Sequence, residues 1–538
     1  MSVSLGPHVE GVALPHPDLS DTATTIAGAS KRIASSLPVP EAELLEEFKA
    51  FVLEYVRANY VPLSPGTDLS IETWLSKTHY PEWRKQELRD KWAKTINPLD
   101  PKYRRVSGFG KDEDYEVPKH TRGIHSRDDV FKCLVGPIFK AIEEVVYKDA
   151  HFIKHVPVAD RPKYIKDLLE QQGVSPFTSD YTSFEAMFCA EIMEACEFVL
   201  YFHMTQFLAE HDQFRRICEE ALAGENVCSY KTFQLRLWAR RMSGEMCTSL
   251  GNGFTNLMLY LFLAKKKGAS EVRGVVEGDD GLFVVKGPAP TSEDFARLGA
   301  NIKLAKARSL ESASFCGLIF DPTDLVNIAN PLKCLAQFGW GNAKYCGSSD
   351  AKRAALLRCK ALSLAHQYPG CPVIQSLAFY GLRATSDVRT CKVLRAAGGR
   401  AVFDEWKRKQ VLEAIDAGEL RPRPIPMRTR CLMEEVFGLS VSAQLRIERY
   451  LDGLSKLQPL SIDLDLFPVQ WSQNWDTYVR HADVGDRRPD LAVPNNGLNV
   501  WNLFQWVSPR TARSIDAHLV EGKSWLKGSI RPLGHTGL

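Results

Sequence analysis

Two adjacent carboxylates, Asp279 and Asp280, follow Gly278 at the junction of two apolar runs, Val275-Val276 and Leu282-Phe283-Val284-Val285. That order predicts strand, tight turn, strand, with the carboxylates at a hairpin tip. Asp and Gly are also ordinary turn residues. Carboxylates gathered at one point repel each other unless a cation sits between them. Hard divalent cations take oxygen ligands, typically one or two carboxylates plus substrate phosphates. The tip is therefore a candidate metal site for phosphoryl chemistry.

Four further segments carry residues suited to the same chemistry. Asp180-Tyr181-Thr182-Ser183-Phe184-Glu185 precedes an apolar stretch. Asp180 there either caps a helix or shares a metal site with Asp279, as in two-metal centres with ions ~3.5–4 Å apart. Ser243-Gly244 reads as a loop feeding a helix to about Ala264, on which Thr248, Asn252 and Asn256 share one face. A helix this apolar is buried, so its polar stripe needs partners: a neighbouring element, or a nucleotide sugar and template backbone. Gly251 and Gly253 weaken the helix by ~1 kcal/mol each relative to Ala and allow another backbone to approach. Lys119, Arg122 and Arg127 form a basic segment, either a solvated loop or a clamp for a triphosphate. Lys303 and Lys306 follow a short capped helix; a lysine there can protonate a leaving pyrophosphate.

The elements that must position these residues are legible in outline. A chain of 538 residues, 44% hydrophobic and 25% charged, is long enough for several subdomains around a large core. A net charge of +3 does not mark a nucleic-acid binder, so any nucleic-acid path must come from local clustering. Thirteen scattered cysteines without a Cys-x-x-Cys pair, and no secretory leader, lead us to expect a reducing compartment and no disulfide framework. No apolar run approaches the ~20 residues that span a bilayer. Residues 1–40 read as an extended or poorly ordered arm. Leu44, Leu45, Phe48, Val52, Tyr55 and Val56 predict an amphipathic helix after Pro40. Helix and strand alternate from 176 to about 325, then helix dominates to about 420. Arg421–Arg428 reads as a stiff basic connector. Five tryptophans (471, 475, 501, 506 and 525) mark the C-terminal segment.

Basic segment, Asp-x4-Glu, Ser-Gly-x3-Thr-x3-Asn, Gly-Asp-Asp and lysine segment occur in an order and spacing that resemble the RNA-dependent RNA polymerases of positive-strand RNA viruses. The wording of Ser243–Asn252 is most similar to tombusvirus-like replicases. Lys119-x-x-Arg122-x-Ile124 is similar to their triphosphate-binding motif, and Phe315-Cys316-Gly317 looks like the start of their primer-grip hairpin. The resemblance spans about residues 115–320. It implies an α/β (α+β) right hand with an antiparallel palm sheet and a mainly helical thumb. The parts would be an N-terminal arm (1–40), fingers (41–172 and 190–238), palm (173–189 and 239–325), thumb (326–470) and a Trp-rich C-terminal segment (471–538). The resemblance also implies that Asp180 and Asp279 bind two Mg²⁺ or Mn²⁺ ions with Asp280 beside them. Lys119, Arg122 and Arg127 would hold the triphosphate. Ser243, Gly244, Thr248, Asn252 and Glu185 would meet the nucleotide, Glu185 and Asn252 at the ribose 2′-hydroxyl. Lys303 would be the general acid, with Lys306 as the alternative.

On this expectation the partners are an RNA template, the product duplex and nucleoside triphosphates. Other viral replication proteins would bring the chain to host membranes within cytoplasmic replication complexes. Two rivals remain at this stage: a reverse-transcriptase-like polymerase, and a non-catalytic RNA-binding replication scaffold. A helicase is not expected, because Gly522-Lys523-Ser524 lacks the upstream glycine of a phosphate-binding loop.

Overall fold

The computed structural model describes residues 2–19, 21–36, 38–342, 345, 347–389, 405–481 and 531–532. Most of the segment expected to carry Trp501, Trp506 and Trp525, together with Gly522-Lys523-Ser524, therefore lies outside the described residues. The first nine strands are β1 (Ser2–Ser4), β2 (Val106–Gly110), β3 (Gly123–Arg127), β4 (Pro176–Tyr181), β5 (Glu225–Ser229), β6 (Phe233–Trp238), β7 (Glu271–Glu277), β8 (Asp280–Lys286) and β9 (Ile302–Lys306), of which β2 to β9 build the two sheets around the site.

Four of them form an antiparallel sheet in the order β7-β8-β4-β9. The expected hairpin is β7-turn-β8, closed by the pair Glu277–Asp280. β4 lies between β8 and β9, with Ser179 opposite Gly281 on one side and Asp180 opposite Lys303 on the other. A second sheet has the order β6-β5-β2-β3, with Arg531–Pro532 outside β6. It is antiparallel except where β2 meets β5.

The largest core lies behind the first sheet. The Thr248–Lys266 helix, two residues longer than expected, packs across it and is buried along most of its length. Helix α2 (Ala42–Asn59) lays Leu44, Phe48, Val52 and Val56 against this core, with the Phe48 and Phe262 rings 5.4 Å apart. Leu45 and Tyr55 are only partly buried at the rim of that stripe. Beyond residue 330 the chain is mainly helical, as expected. The basic connector is shorter than the sequence suggested. It ends at Pro426, a helix starts at Met427, and Arg430 forms a buried ion pair with Glu448 at 2.8 Å.

The N-terminal segment differs most from expectation. It is extended in part, but it is packed. β1 pairs with Trp340–Asn342, and Val3, Leu5, Val9, Val12 and Leu14 are buried in the core of the C-terminal helices. A helix, α1 (Thr22–Arg32), follows, capped by the Asp21 side chain on the Ala23 N–H. Its Ala29, with Ile33 just beyond, packs on the second sheet. These apolar residues show no single period because each docks separately on another element rather than forming one face of a helix or strand.

Leu5→Ala should lower the unfolding free energy by about 2–5 kcal/mol, the usual cost of emptying a buried leucine site. Urea unfolding followed by tryptophan fluorescence measures it. A loss below about 0.5 kcal/mol would mean the segment is not part of the core.

Candidate active site

The Gly278-Asp279 turn has a positive φ, +63°, at the first central residue only. That is the φ pattern of a II′ turn, which matches the twist of the flanking strands and favours glycine at its first position. The turn is clamped by Asn256. Its Nδ2 donates to the carbonyls of Asp279 at 3.1 Å and Gly278 at 3.4 Å, and its Oδ1 accepts from the Tyr181 hydroxyl at 3.1 Å. One buried amide thus joins the end of β4, the Thr248–Lys266 helix and the turn. Gly253 faces the turn, where a β-carbon would make an ordinary contact of 3.5 Å with the Gly278 nitrogen. Gly251 answers to side chains, since a β-carbon there would meet Glu197 Oε2 at 2.3 Å.

The sheet register brings the acidic residues to one end. One residue past the Ser179–Gly281 pair, Asp180 runs beside Asp280. Partial enclosure raises the Asp280 carboxyl to about 6, reinforced by Asp279, Glu277 and Asp180. Asp279 is also raised, by burial and then by Glu185, while Arg32 and Arg122 oppose the shift. A divalent cation relieves this kind of crowding. Among the described residues no three His, Cys, Asp or Glu side chains form a ready-made cage. Crowded carboxylates of this kind suit a hard divalent cation, which takes oxygen ligands. Cys316 and Gly317 (φ 52° and 73°) turn a tight hairpin between Phe315 and Leu318, which places the Cys316 thiol 3.7 Å from Glu277 Oε2.

Lys303, exposed, is the strand partner of Asp180, whereas Lys306 is the partner of Phe177. A separation of three residues points their side chains to opposite faces of the sheet. Glu185 is buried and accepts from Arg32 at 2.9 and 3.0 Å on its two oxygens. Asn252 Oδ1 accepts from Arg241 Nε at 3.1 Å, and Arg241 is ion-paired with the fully buried Glu197. Asn252 lines a cleft of about 580 Å³ with Asp279, Ser243, Gly244, Thr248 and Lys154.

Ser243 and Gly244 stitch the cleft to β3. The Ser243 hydroxyl accepts from the His125 N–H at 3.1 Å and donates to the Gly123 carbonyl at 3.2 Å. The Gly244 N–H donates to the His125 carbonyl at 2.8 Å. The Thr248 hydroxyl donates to the Met242 carbonyl at 3.1 Å. These groups shape the loop with bonds already made inside the protein.

The basic segment divides. Arg122 is half-buried, acts electrostatically on Asp279, and has a buried Nε with no protein partner. Lys119 lies 4.2 Å from the Tyr115 ring centre, and burial and Arg122 push its amine down. Arg127 corrects the expectation of a phosphate contact. It is 2% exposed, ion-paired with Glu245 at 2.7 Å, and donates to the Arg104 and Ala221 carbonyls. It is a strut with no free face for a ligand. Strand alternation holds the signal: His125 and Arg127 share the buried face of β3. One further residue, Arg32, carries no signal in the sequence. It lies in the segment expected to be an arm, whereas Asn256 lies on the expected polar face and finds its partners in neighbouring elements, the first of the two alternatives for that stripe.

A family model described as viral RNA-dependent RNA polymerase matches residues 66–371, more than half of the chain. No curated protein matches it. The matched span contains every residue of the cleft named above.

Asn256→Asp keeps the size of the side chain but removes both donors to the turn and adds a charge beside its carbonyls. It should cost about 1–3 kcal/mol of stability, the cost of leaving buried groups unsatisfied. Denaturant titration measures it, and an unchanged midpoint would show that the turn holds itself.

Proposed function

Because this chain belongs to the family of viral RNA-dependent RNA polymerases, and is thereby an RNA-directed RNA polymerase, we propose that it copies a positive-strand viral RNA genome at the cleft between the Gly278-Asp279 turn and Asn252. The register that sets Asp180 between Lys303 and the turn carries this reading. In it, the β7-β8-β4-β9 sheet is the palm, the β6-β5-β2-β3 sheet belongs to the fingers, and the helices after residue 330 form the thumb of a right hand. The wording of Ser243–Asn252 supports a tombusvirus-like origin.

The primer 3′-hydroxyl attacks the α-phosphorus of the incoming nucleotide, the bond to the β-phosphate oxygen breaks, and pyrophosphate leaves. Asp180 and Asp279, with Asp280 beside them, would hold two divalent ions, Mg²⁺ or Mn²⁺, which when bound lower the pKa of the hydroxyl and neutralise the triphosphate. Arg122, whose guanidinium faces Glu113 at 3.6 Å, and Lys119 grip the phosphates. Lys303, level with Asp180, protonates the leaving pyrophosphate. Asn252 donates a hydrogen bond to the ribose 2′-hydroxyl oxygen, and Glu185 accepts one from that hydroxyl. A site built to bond a hydroxyl rejects a substrate lacking it, because its own polar groups are then left unpaired. Template pairing selects the base, so the protein reads backbone and 2′-hydroxyls rather than sequence.

No helix among the described residues is long and apolar enough to cross a membrane. Recruitment to membrane-associated replication complexes in the host cytoplasm therefore falls, in this proposal, to other viral proteins.

With a homopolymeric RNA template, labelled nucleotide and Mg²⁺ or Mn²⁺, Asp279→Ala should abolish synthesis and leave RNA binding intact. Retained synthesis would sink the polymerase site. In the same assay Lys303→Ala should slow turnover by about 10²–10⁴-fold, the usual worth of a general acid. Lys306→Ala should change it by less than about threefold; the reverse order would reassign the proton donor.

A further inference from the structure

Helix α1 sits against both halves of the proposed nucleotide site. On one side it meets the basic segment. Thr24 Oγ1 accepts from the Thr121 N–H at 3.2 Å, and a β-carbon at Gly28 would lie only 2.0 Å from the Thr121 carbonyl oxygen. Glycine is therefore what lets the helix lie on that backbone. On the other side α1 meets the turn after β4. Ser183 takes a left-handed φ of 58°, which non-glycine residues rarely adopt. Its hydroxyl donates to the Lys31 carbonyl at 2.7 Å. Two residues on, the Glu185 carboxylate receives Arg32 Nη2 on both oxygens, at 2.9 and 3.0 Å.

Glu185 is buried and lies within the field of Asp279. A buried carboxylate beside another needs a countercharge and fixed donors, or it turns away or takes up a proton. Arg32 is the cation the structure pairs with it. One guanidinium nitrogen spans both oxygens, so each keeps a lone pair for a further donor. Arg32 also acts electrostatically on Asp279 and Lys119, so its charge reaches the groups on both sides of the nucleotide.

We propose that Arg32 is a positioning residue for sugar selection: from the N-terminal helix it holds the Glu185 carboxylate where a ribose 2′-hydroxyl is recognised. This rests on the ribose role given to Glu185 above. Arg32 does not touch the substrate. It acts through Glu185, and α1 becomes a working wall of the active site.

The experiment compares kcat/KM for a nucleoside triphosphate and its 2′-deoxy analogue on one RNA template, using the full chain. In Arg32→Gln the ribonucleotide value should fall about tenfold or more, because a charge-assisted bond that orders the acceptor is lost. The deoxynucleotide value should fall less than about twofold, so discrimination drops. Arg32→Lys keeps the charge and should recover part of the ratio; it also serves as the readout should Arg32→Gln fail to fold. In a Glu185→Gln background Arg32→Gln should cause no further loss of discrimination. Equal losses for both nucleotides, or an unchanged ratio in both Arg32 variants, would overturn the proposal and leave Arg32 a structural strut. If Glu185→Gln itself leaves discrimination intact, the ribose assignment fails and this inference falls with it, whereas the Asp279→Ala result stands apart from both.

Discussion

A single uncharged amide holds the acidic end of the β7-β8-β4-β9 sheet together. Two acidic side chains on a turn, set beside a third on the neighbouring strand, repel each other and would splay the sheet end. A charged clamp would add its own field to that problem. Asn256 avoids it by bonding only to backbone carbonyls and a tyrosine hydroxyl. The helix that carries Asn256 runs close to the turn: a β-carbon at Gly253 would be in ordinary contact, 3.5 Å, with the Gly278 nitrogen. The Thr248–Lys266 helix packs on the sheet and is buried along most of its length.

Around that neutral centre the structure uses arginine–carboxylate pairs as spacers. Arg241–Glu197 backs Asn252, Arg127–Glu245 backs the Ser243-Gly244 loop, and Arg32–Glu185 backs the turn after β4. Buried pairs of this kind add little net stability, because desolvation offsets most of the attraction. Breaking one leaves a buried charge unpaired, which is costly, so each pair holds its neighbours to one arrangement. Arg241 occupies the Asn252 oxygen and thereby turns its NH₂ group into the free end. A side chain that otherwise both donates and accepts is left with one sense.

The residues proposed to react were more legible in the sequence than their supports. Gly278-Asp279-Asp280 between apolar runs gave the hairpin, four-residue spacing gave α2, and the polar stripe gave Asn252 and Asn256. Local pattern carries these, because turn chemistry and periodicity are set by near neighbours. Arg127 failed because charge alone does not say which face of a strand a residue occupies; its partner Glu245 is over a hundred residues away. The N-terminal segment failed because Val3, Leu5, Val9 and Val12 fill sites on helices hundreds of residues later, so no local period betrays them.

That long-range packing has a mechanical consequence. Residues 3–14 are embedded in the core of the C-terminal helices, while α1 lies on Thr121 and Glu185. The seven intervening residues span at most roughly 25 Å when fully extended. They are not free to extend, because His16 is held between Asp112 and Asp114 at 3.0 and 2.9 Å. Asp114 in turn accepts from Gln337, and Glu116 is ion-paired with Lys333 at 3.1 Å. The C-terminal helices therefore cannot move far from the basic segment without either breaking these bonds or drawing on α1. Where α1 goes, the Ser183 turn and Glu185 must follow or lose their partners, so the position of a distant helical body and the shape of the proposed nucleotide site are one linked problem.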